Sequence, residues 1–447
     1  MYSLGIDLGT SGIRAVVMND QQQVLAESHS ALPASQAYLS PSDSQTIGYS
    51  QKPSDWWHSF EQVIYQLATT LKKSQHISLS DITHLAIDGT SGTVLLCDIN
   101  GQPLTDALMY NDQRAGAEAQ IIKAIASDNT GAIGATSGLA KVLWLVAHCA
   151  EKSQVHYAIS QSDWLSGQLM NQFGFSDHNN VLKMGYDAQN HCWPDWLVQL
   201  FKEKALPDTL LAKVFIPGEV LDTITPAMAK HFGFNHNLRI CAGTTDSTAA
   251  IIASGAKQLG DAVTSLGSSM VMKVLADKAI YDQASGVYSQ PYGDLWLVGG
   301  ASNAGGEVLK QFFSIVQMQQ LTLQLEQQIQ ANSFKFLDLN YYPLASPGER
   351  FPVQDPQLKA RLSPRPKSEL QFFQALLEGL ADIEALAYSK LLDLGAPYPK
   401  LVKSMGGGAV NTAWRDIRQQ KLGIPVSLAT QQQAAAGVAI LAQSTWH

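Results

Sequence analysis

Gly5-Ile6-Asp7-Leu8-Gly9-Thr10-Ser11-Gly12 is the stretch that decides the fold. It lies between a short apolar run and a second one, Ile13 to Met18, so it reads as the tight turn of a β-hairpin. Gly9, Thr10, Ser11 and Gly12 give a turn whose backbone N–H groups converge on an anion. Asp7 stands beside them and is the type of oxygen ligand a hydrated Mg²⁺ ion takes. A glycine-hydroxyl turn with a neighbouring carboxylate suits a nucleotide phosphate held close to a reacting oxygen.

A related turn recurs in the middle of the chain. Leu8-Gly9-Thr10-Ser11 is echoed by Leu266-Gly267-Ser268-Ser269, with Ser265 where the first copy has Asp7. One such turn is weak evidence, but two, each opening one half of the chain, predict a duplicated nucleotide-binding unit.

The chain has 447 residues, enough for two or three domains, with 45% hydrophobic and 15% charged residues. A net charge of −8 argues against general binding to nucleic acid or to anionic membranes, which needs a basic face. There is no basic stretch followed by an apolar core near Met1 and no apolar run of membrane-spanning length, so a cytoplasmic setting is expected. Cys97, Cys149, Cys192 and Cys241 are widely spaced and read as reduced thiols, with no zinc pattern.

Along the first half, strands are expected at Val24–Ala26, Leu85–Asp88 and Val94–Cys97, and helices from Asp55 to about Lys72, Leu139–Ala150, Trp164–Asn171 and Trp193–Glu203. The second half repeats strand-turn-strand over Gly260–Leu275 and continues with helices at Gly306–Ile315, Leu370–Leu394, from near Thr412 and around Ala434–Ala442. This alternation indicates an α/β architecture, with the boundary between domains expected at 240/241 by analogy between the halves. Glutamine clusters at 21–23, 318–329 and 431–433 read as polar helix faces or loops.

Asp246, in Gly243-Thr244-Thr245-Asp246-Ser247, precedes an Ala/Ile-rich helix. An Asp there is a routine N-cap worth about 1 kcal/mol. It is also a carboxylate able to take the proton of an attacking hydroxyl, and local sequence does not separate the two roles. Gly406-Gly407-Gly408-Ala409-Val410-Asn411 reads as a flexible turn or as a close approach of backbone to a flat ligand, and Gly299–Gly306 has the same character. Thr90, Ser91 and Gly92 form either an ordinary turn or a small polar lining for a polyol. Asp112 and Arg114 read as a surface ion pair or part of a sugar pocket. The dinucleotide GxGxxG pattern is missing.

Together these segments resemble the FGGY carbohydrate kinases over essentially the whole length. The matches are GIDLGTSGIRAVVM at 5–18, GTTDSTAA at 243–250, SLGSSM at 265–270, GGASNAGG at 299–306 and GGGAVN at 406–411. The resemblance implies two ribonuclease-H-like domains of the actin/hexokinase/Hsp70 type with a cleft between them: a sugar-binding one over 1–240 and an ATP-binding one over 241–447. It implies Asp246 as catalytic base, and Asp7, Thr10, Thr90, Ser91 and Gly92 at the sugar together with Asp246. It places Gly9, Thr10, Ser11, Gly12, Arg14, Gly267 and Ser268 at the phosphates, and Gly300, Gly407, Gly408 and Asn411 at adenosine. Its cofactors are ATP and Mg²⁺, the metal held at Asp7. Its partners are a ketopentose and ATP, with a homodimer as candidate assembly and neither nucleic acid nor membrane.

The loop IDGTSGT at 87–93 departs from the QMHG-type loop usual in bacterial xylulokinases. With SDHNNVLKMGYD at 176–187 and YYPLASPGERFP at 341–352, it looks like the D-ribulokinase and xylulokinase-like group found in cyanobacteria and plants. The expectation is therefore an ATP-dependent kinase of D-ribulose. D-xylulose is the alternative substrate. A chaperone-like protein or a non-catalytic sugar binder on the same core are the alternative classes.

Overall fold

The computed structural model describes residues 1–39, 47–74, 77–127 and 129–443. The chain divides into two compact units, Met1–Ala253 with Gln433–His447, and Ser254–Gln432. The division falls after Ala253 and not at 240/241, so Asp246 belongs to the first unit, and the closing helix returns to it.

The first unit is built on a six-stranded sheet in the order Val220–Thr223, Arg239–Thr245, Ile82–Gly89, Tyr2–Leu8, Gly12–Asn19, Val24–Ala31. The opening hairpin pairs antiparallel from Tyr2↔Asn19 to Leu8↔Ile13, and Ile82–Gly89 runs parallel to its first strand. Strand alternation sorts the side chains. Leu4, Ile6 and Leu8 are fully buried in one core with Trp56, Phe60 and Leu67 of the helix Pro53–Ser74. Each such side chain contributes roughly 1.5–3 kcal/mol on burial. Ser3, Gly5 and Asp7 take the other face. There a Cβ on Gly5 would meet Ala435 O at 2.0 Å and Ala439 Cβ at 2.9 Å. The helix Ala434–Leu441 thus lies directly on strand Tyr2–Leu8, which is why the C-terminal segment joins this unit. A smaller five-stranded sheet, with Val94–Cys97 and Tyr157–Ser160 at one edge, completes the unit.

The second unit repeats the pattern in the order Tyr288–Tyr292, Leu295–Ser302, Met270–Ala276, Asp261–Leu266, Leu401–Met405, Val426–Leu428. Its hairpin is antiparallel from Ala262↔Val274 to Leu266↔Met270, and Leu401–Met405 runs parallel beside the first strand. The helix Glu369–Asp393 covers this sheet with Phe372, Phe373, Leu376, Leu380 and Tyr388. Inside that core Arg418 reaches Glu384 at 2.6 Å through Nε and 2.7 Å through Nη2, with Ser404 as a further acceptor. Each unit therefore has the ribonuclease-H-like core: three antiparallel strands flanked by two parallel ones.

Most expected elements are present within a few residues of their predicted ends. One helix differs. The segment expected at Gly306–Ile315 stops at Lys310, and a separate helix spans Ile315–Gln330. Ser314 caps the new helix reciprocally with Gln317, while Phe312 and Phe313 turn onto Phe372 and Phe373. No helix among the described residues is long and apolar enough to cross a membrane.

Candidate functional site

In the first unit the opening turn is rigidly braced. Gly9 N–H donates to Gly12 O at 3.0 Å, and Leu32 N–H donates to Ser11 O at 2.9 Å. Gln51 Nε2 donates to Thr10 O at 2.8 Å, while Gln51 Oε1 accepts from the buried Trp56 indole at 2.9 Å. With the turn's carbonyls engaged, the amides of Thr10 and Ser11 have no protein acceptor among the described residues. Two adjacent open amides on a fixed turn form an anion-binding concavity. Arg14, exposed on the facing strand, pairs in register with Asp7 and draws its carboxyl pKa down.

Three carboxylates gather at the end of this sheet. Asp88 is opposite Asp7 in the parallel register, so their side chains share a face. Burial raises the Asp7 carboxyl, offset in part by its hydrogen bond to Asp88 and by Arg14. Asp88 is fully buried, and burial pushes it well above the usual carboxylate range; the charges of Asp7 and Asp246 push it further the same way. Among the described residues no donor group reaches either Asp88 oxygen. The sequence reading ended a strand at Asp88 and gave it no role. A carboxylate placed as the last side chain before a Gly-rich turn was the available signal.

Asp246 opens the helix Asp246–Ser254 at the end of strand Arg239–Thr245. Its Oδ1 accepts from Ser247 N–H at 2.6 Å, so the carboxylate is oriented by the first turn of its helix and is half-buried. The bond is to the next residue and not to the N2 or N3 amide that an N-cap engages.

The turn Thr90–Gly92 is held from behind. Lys141, fully buried, donates to Gly92 O at 2.6 Å and Met109 O at 2.8 Å, and Lys183 donates to Ser91 O at 2.9 Å. Burial, then the nearby Lys183 charge, lowers Lys141 to about 7. The Thr90 hydroxyl is engaged with Gln161 at 2.8 Å and Thr93 at 2.6 Å, whereas Ser91 is only half-buried. Asp112 and Arg114 do not form a surface pair. Asp112 is fully buried and accepts from Tyr49 N–H and from Arg114 Nε, and Arg114 lies over the rings of Tyr38 and Trp144. This unit staples two loops together.

In the second unit three loops meet. Gly306 N–H donates to Gly267 O at 2.9 Å and Glu307 N–H to Ser268 O at 3.2 Å, so a helix start backs the second turn. Cβ atoms on Gly305 and Gly306 would meet Ser268 O at 2.5 Å and Gly267 O at 2.9 Å. A Cβ on Gly406 would meet Leu266 O at 2.9 Å and one on Gly408 the Trp414 ring at 2.7 Å, whereas nothing lies within 4 Å at Gly407. Of the three glycines, two are required for packing and the middle one faces open space. Asn411 Oδ1 accepts from Trp414 N–H and its Nδ2 donates to Thr322, so it caps the following helix. Gly300 lies buried inside strand Leu295–Ser302, where a Cβ would meet the Phe351 ring at 2.6 Å. The glycines of that segment that touch the phosphate-type turn are Gly305 and Gly306, which the sequence reading did not single out.

The donor chemistry fits a hydrated Mg²⁺ ion. Asp7 supplies a half-buried carboxyl group, and this ion keeps most of its waters and substrate oxygens while taking one or two protein carboxylates. Among the described residues no cluster of three or more His, Cys, Asp or Glu forms an all-protein cage.

Residues 2–253 match the family description "FGGY family of carbohydrate kinases, N-terminal domain", and 262–446 match its C-terminal domain. The chain is 24% identical over 437 residues to the xylulose kinase of Escherichia coli K12, covering 94% of this chain and 86% of that one. It is 23% identical over 455 residues to the gluconokinase of Bacillus subtilis, covering 95% and 84%. Among solved structures, a "xyloylose kinase" from Brucella ovis superimposes with a TM-score of 0.82 at 21% identity, covering 99% of this chain and 90% of that one. Plasmodium falciparum glycerol kinase with ADP does so at 0.80 and 16% identity, covering 98% and 88%.

Proposed function

The chain belongs to the FGGY family of carbohydrate kinases, and we propose that it transfers the terminal phosphoryl group of MgATP to a ketopentose, D-ribulose, giving D-ribulose 5-phosphate. The observation that carries the reading is the gathering of Asp7, Asp88 and Asp246 beside the braced turn Gly9–Gly12. A sugar hydroxyl placed there meets a general base and an anion-binding turn at once.

The roles follow from chemistry. Asp246 accepts the proton of the terminal hydroxyl as that oxygen bonds to the γ-phosphorus, and the bond to the bridging oxygen breaks to release ADP. Asp7 is the carboxylate that would hold Mg²⁺, which when bound with ATP would supply neutralisation of phosphate charge. The amides of Thr10 and Ser11 and the Arg14 guanidinium stabilise the transferring phosphoryl oxygens. In the second unit, the turn Gly267–Ser269 and the open backbone at Gly407 take the phosphates and adenosine of ATP. The Thr90–Gly92 turn, fixed by Lys141 and Lys183, lines the sugar.

D-xylulose is a second reading, favoured by the likeness to xylulose kinases from several bacteria. The loop over 87–93 favours D-ribulose. ADP release with Mg²⁺ and D-ribulose, D-xylulose, L-ribulose, glycerol or gluconate decides between them. The reading expects the highest kcat/KM on D-ribulose. Preference for D-xylulose overturns the substrate, and ADP release indifferent to any acceptor overturns the sugar kinase.

A further inference from the structure

Two fully buried side chains without an assigned role end in unsatisfied atoms at one place. Gln161, the first residue of the helix Gln161–Met170, is 0% exposed, and Asn179, in the loop after Phe175–Asp177, is 1% exposed. Gln161 Oε1 accepts from Thr90 N–H at 3.2 Å and from its hydroxyl at 2.8 Å, while Gln161 Nε2 has no partner. Asn179 Nδ2 donates to Thr244 Oγ1 at 3.0 Å, while Asn179 Oδ1 has no partner.

The two anchors fix where these amides stand. Thr244 is opposite Asp88 in the parallel register and two residues before Asp246; Thr90 follows Gly89, which is opposite Thr245. Both amides therefore flank the ends of the strand that carries Asp88 and of the strand that leads into Asp246. Exchanging the ends of Gln161 would set its NH₂ against the Thr90 amide, so its open atom is a donor. The Thr244 hydroxyl can give or accept, so Asn179 keeps one open end of either kind. Buried amide groups are almost always paired, and an unpaired one destabilises the fold. A fixed donor and a second open amide end at these strand ends are complementary to a molecule whose neighbouring oxygens both give and accept hydrogen bonds.

We propose that Gln161 Nε2 and the open end of the Asn179 amide are specificity-determining contacts that hydrogen-bond two oxygens of the bound sugar. This rests on the sugar kinase reading and deepens it. Gln161 donates to a keto or hydroxyl oxygen, and Asn179 exchanges a hydrogen bond with a hydroxyl. Together they reject acceptors lacking a hydroxyl at those positions, since a missing partner leaves a buried amide unsatisfied. Thr90, in the turn that lines the sugar, also aims Gln161.

Gln161→Glu keeps an acceptor oxygen for Thr90 and replaces the donor by a carboxylate, with Gln161→Met as the uncharged control; Asn179→Leu preserves the shape and removes the amide. The measurement is kcat/KM for whichever acceptor the parent enzyme phosphorylates best, for that acceptor's deoxy analogues, and the KM for ATP. Each variant is expected to lose roughly tenfold or more in kcat/KM for the acceptor, through KM, with the ATP KM unchanged. Each is also expected to shrink the parent's discrimination against one deoxy analogue, a coupling that a merely structural role would not produce. Thermal melting checks folding, and Gln161→Met with Asn179→Ser supplies a second pair should either variant fold poorly. An acceptor KM within twofold of the parent in folded variants, or undiminished discrimination against every deoxy analogue, overturns the proposal and means the amides hold water only. A parent that prefers a non-ketose acceptor instead overturns the substrate reading, and the variants are then judged on that acceptor.

Discussion

The turns Gly9–Gly12 and Gly267–Ser269 occupy equivalent places in two copies of one core, yet their surroundings differ in charge. Asp7 stands between Arg14 on its hairpin partner and Asp88 on its parallel neighbour. At the equivalent position Ser265 stands between Val271 and Met405. After Asp88 the chain turns through Gly89-Thr90-Ser91-Gly92; after Met405 it turns through Gly406-Gly407-Gly408. The first copy has carboxylates at these positions, which the proposed function uses for proton transfer at the sugar. The second has no acid there and sets the hydroxyls of Ser265, Ser268 and Ser269 beside bare glycine backbone, which the proposed function gives to the nucleotide. Buried charge follows the same division. In the second unit Glu384 is neutralised by Arg418 deep in the core, while in the first Asp88 is buried beside Asp7 and Asp246, and burial, then those two charges, raises its carboxyl pKa. One scaffold thus supports both roles, with a few positions at the strand ends deciding which.

The largest test of this division is Asp246→Ala. It should lower kcat by about 10²–10⁴-fold in steady-state assays, with circular dichroism unchanged. Retained turnover would show that the first copy's carboxylates do not do the chemistry. Next comes the buried pair of the second unit. Arg418→Met leaves Glu384 buried without a partner and should cost about 3–5 kcal/mol in urea unfolding, whereas Lys310→Ala, at an exposed pair with Glu307, should leave the transition in place. Making the second turn resemble the first sharpens the comparison: Ser265→Asp puts a carboxylate beside the phosphate-type turn and should raise the ATP KM about tenfold, leaving the sugar KM alone. An unchanged ATP KM would separate that turn from the nucleotide.

The smallest expected effect concerns Lys141 and pH. Its folded pKa, about 7, is lower than its ordinary 10.5 because of burial and Lys183, with Asp112 acting in the opposite sense. Between these values the unfolded chain binds more protons, so the group's contribution to stability rises with pH across that window. The melting temperature of the parent relative to Lys141→Met should therefore improve from pH 7 to pH 10. A flat or falling difference contradicts the assignment of a strained ammonium behind the Thr90–Gly92 turn.

Much of this was legible in the letters because it is local. The hairpins at Leu8–Ile13 and Leu266–Met270 are written in contiguous apolar runs and glycines, and Asp246 in a strand-to-helix junction. What was not legible depends on register between distant strands. Asp88 becomes interesting only because it falls opposite Asp7, and Gln161 and Asn179 only because they reach Thr90 and Thr244. The return of the closing helix to the first unit was not legible because Gly5 accepts that helix from the far end of the chain, a close approach that no linker signals. Gly300 and Gly305 look alike in sequence; one faces a phenylalanine ring inside a strand and the other a turn.

The most direct measurement follows ADP and sugar phosphate together in one reaction of the protein with MgATP and D-ribulose. The account predicts equal amounts of both products, formed only when the sugar is present and nearly abolished in Asp246→Ala. ADP appearing without sugar phosphate, or sugar phosphate accumulating at the parental rate in that variant, would contradict it.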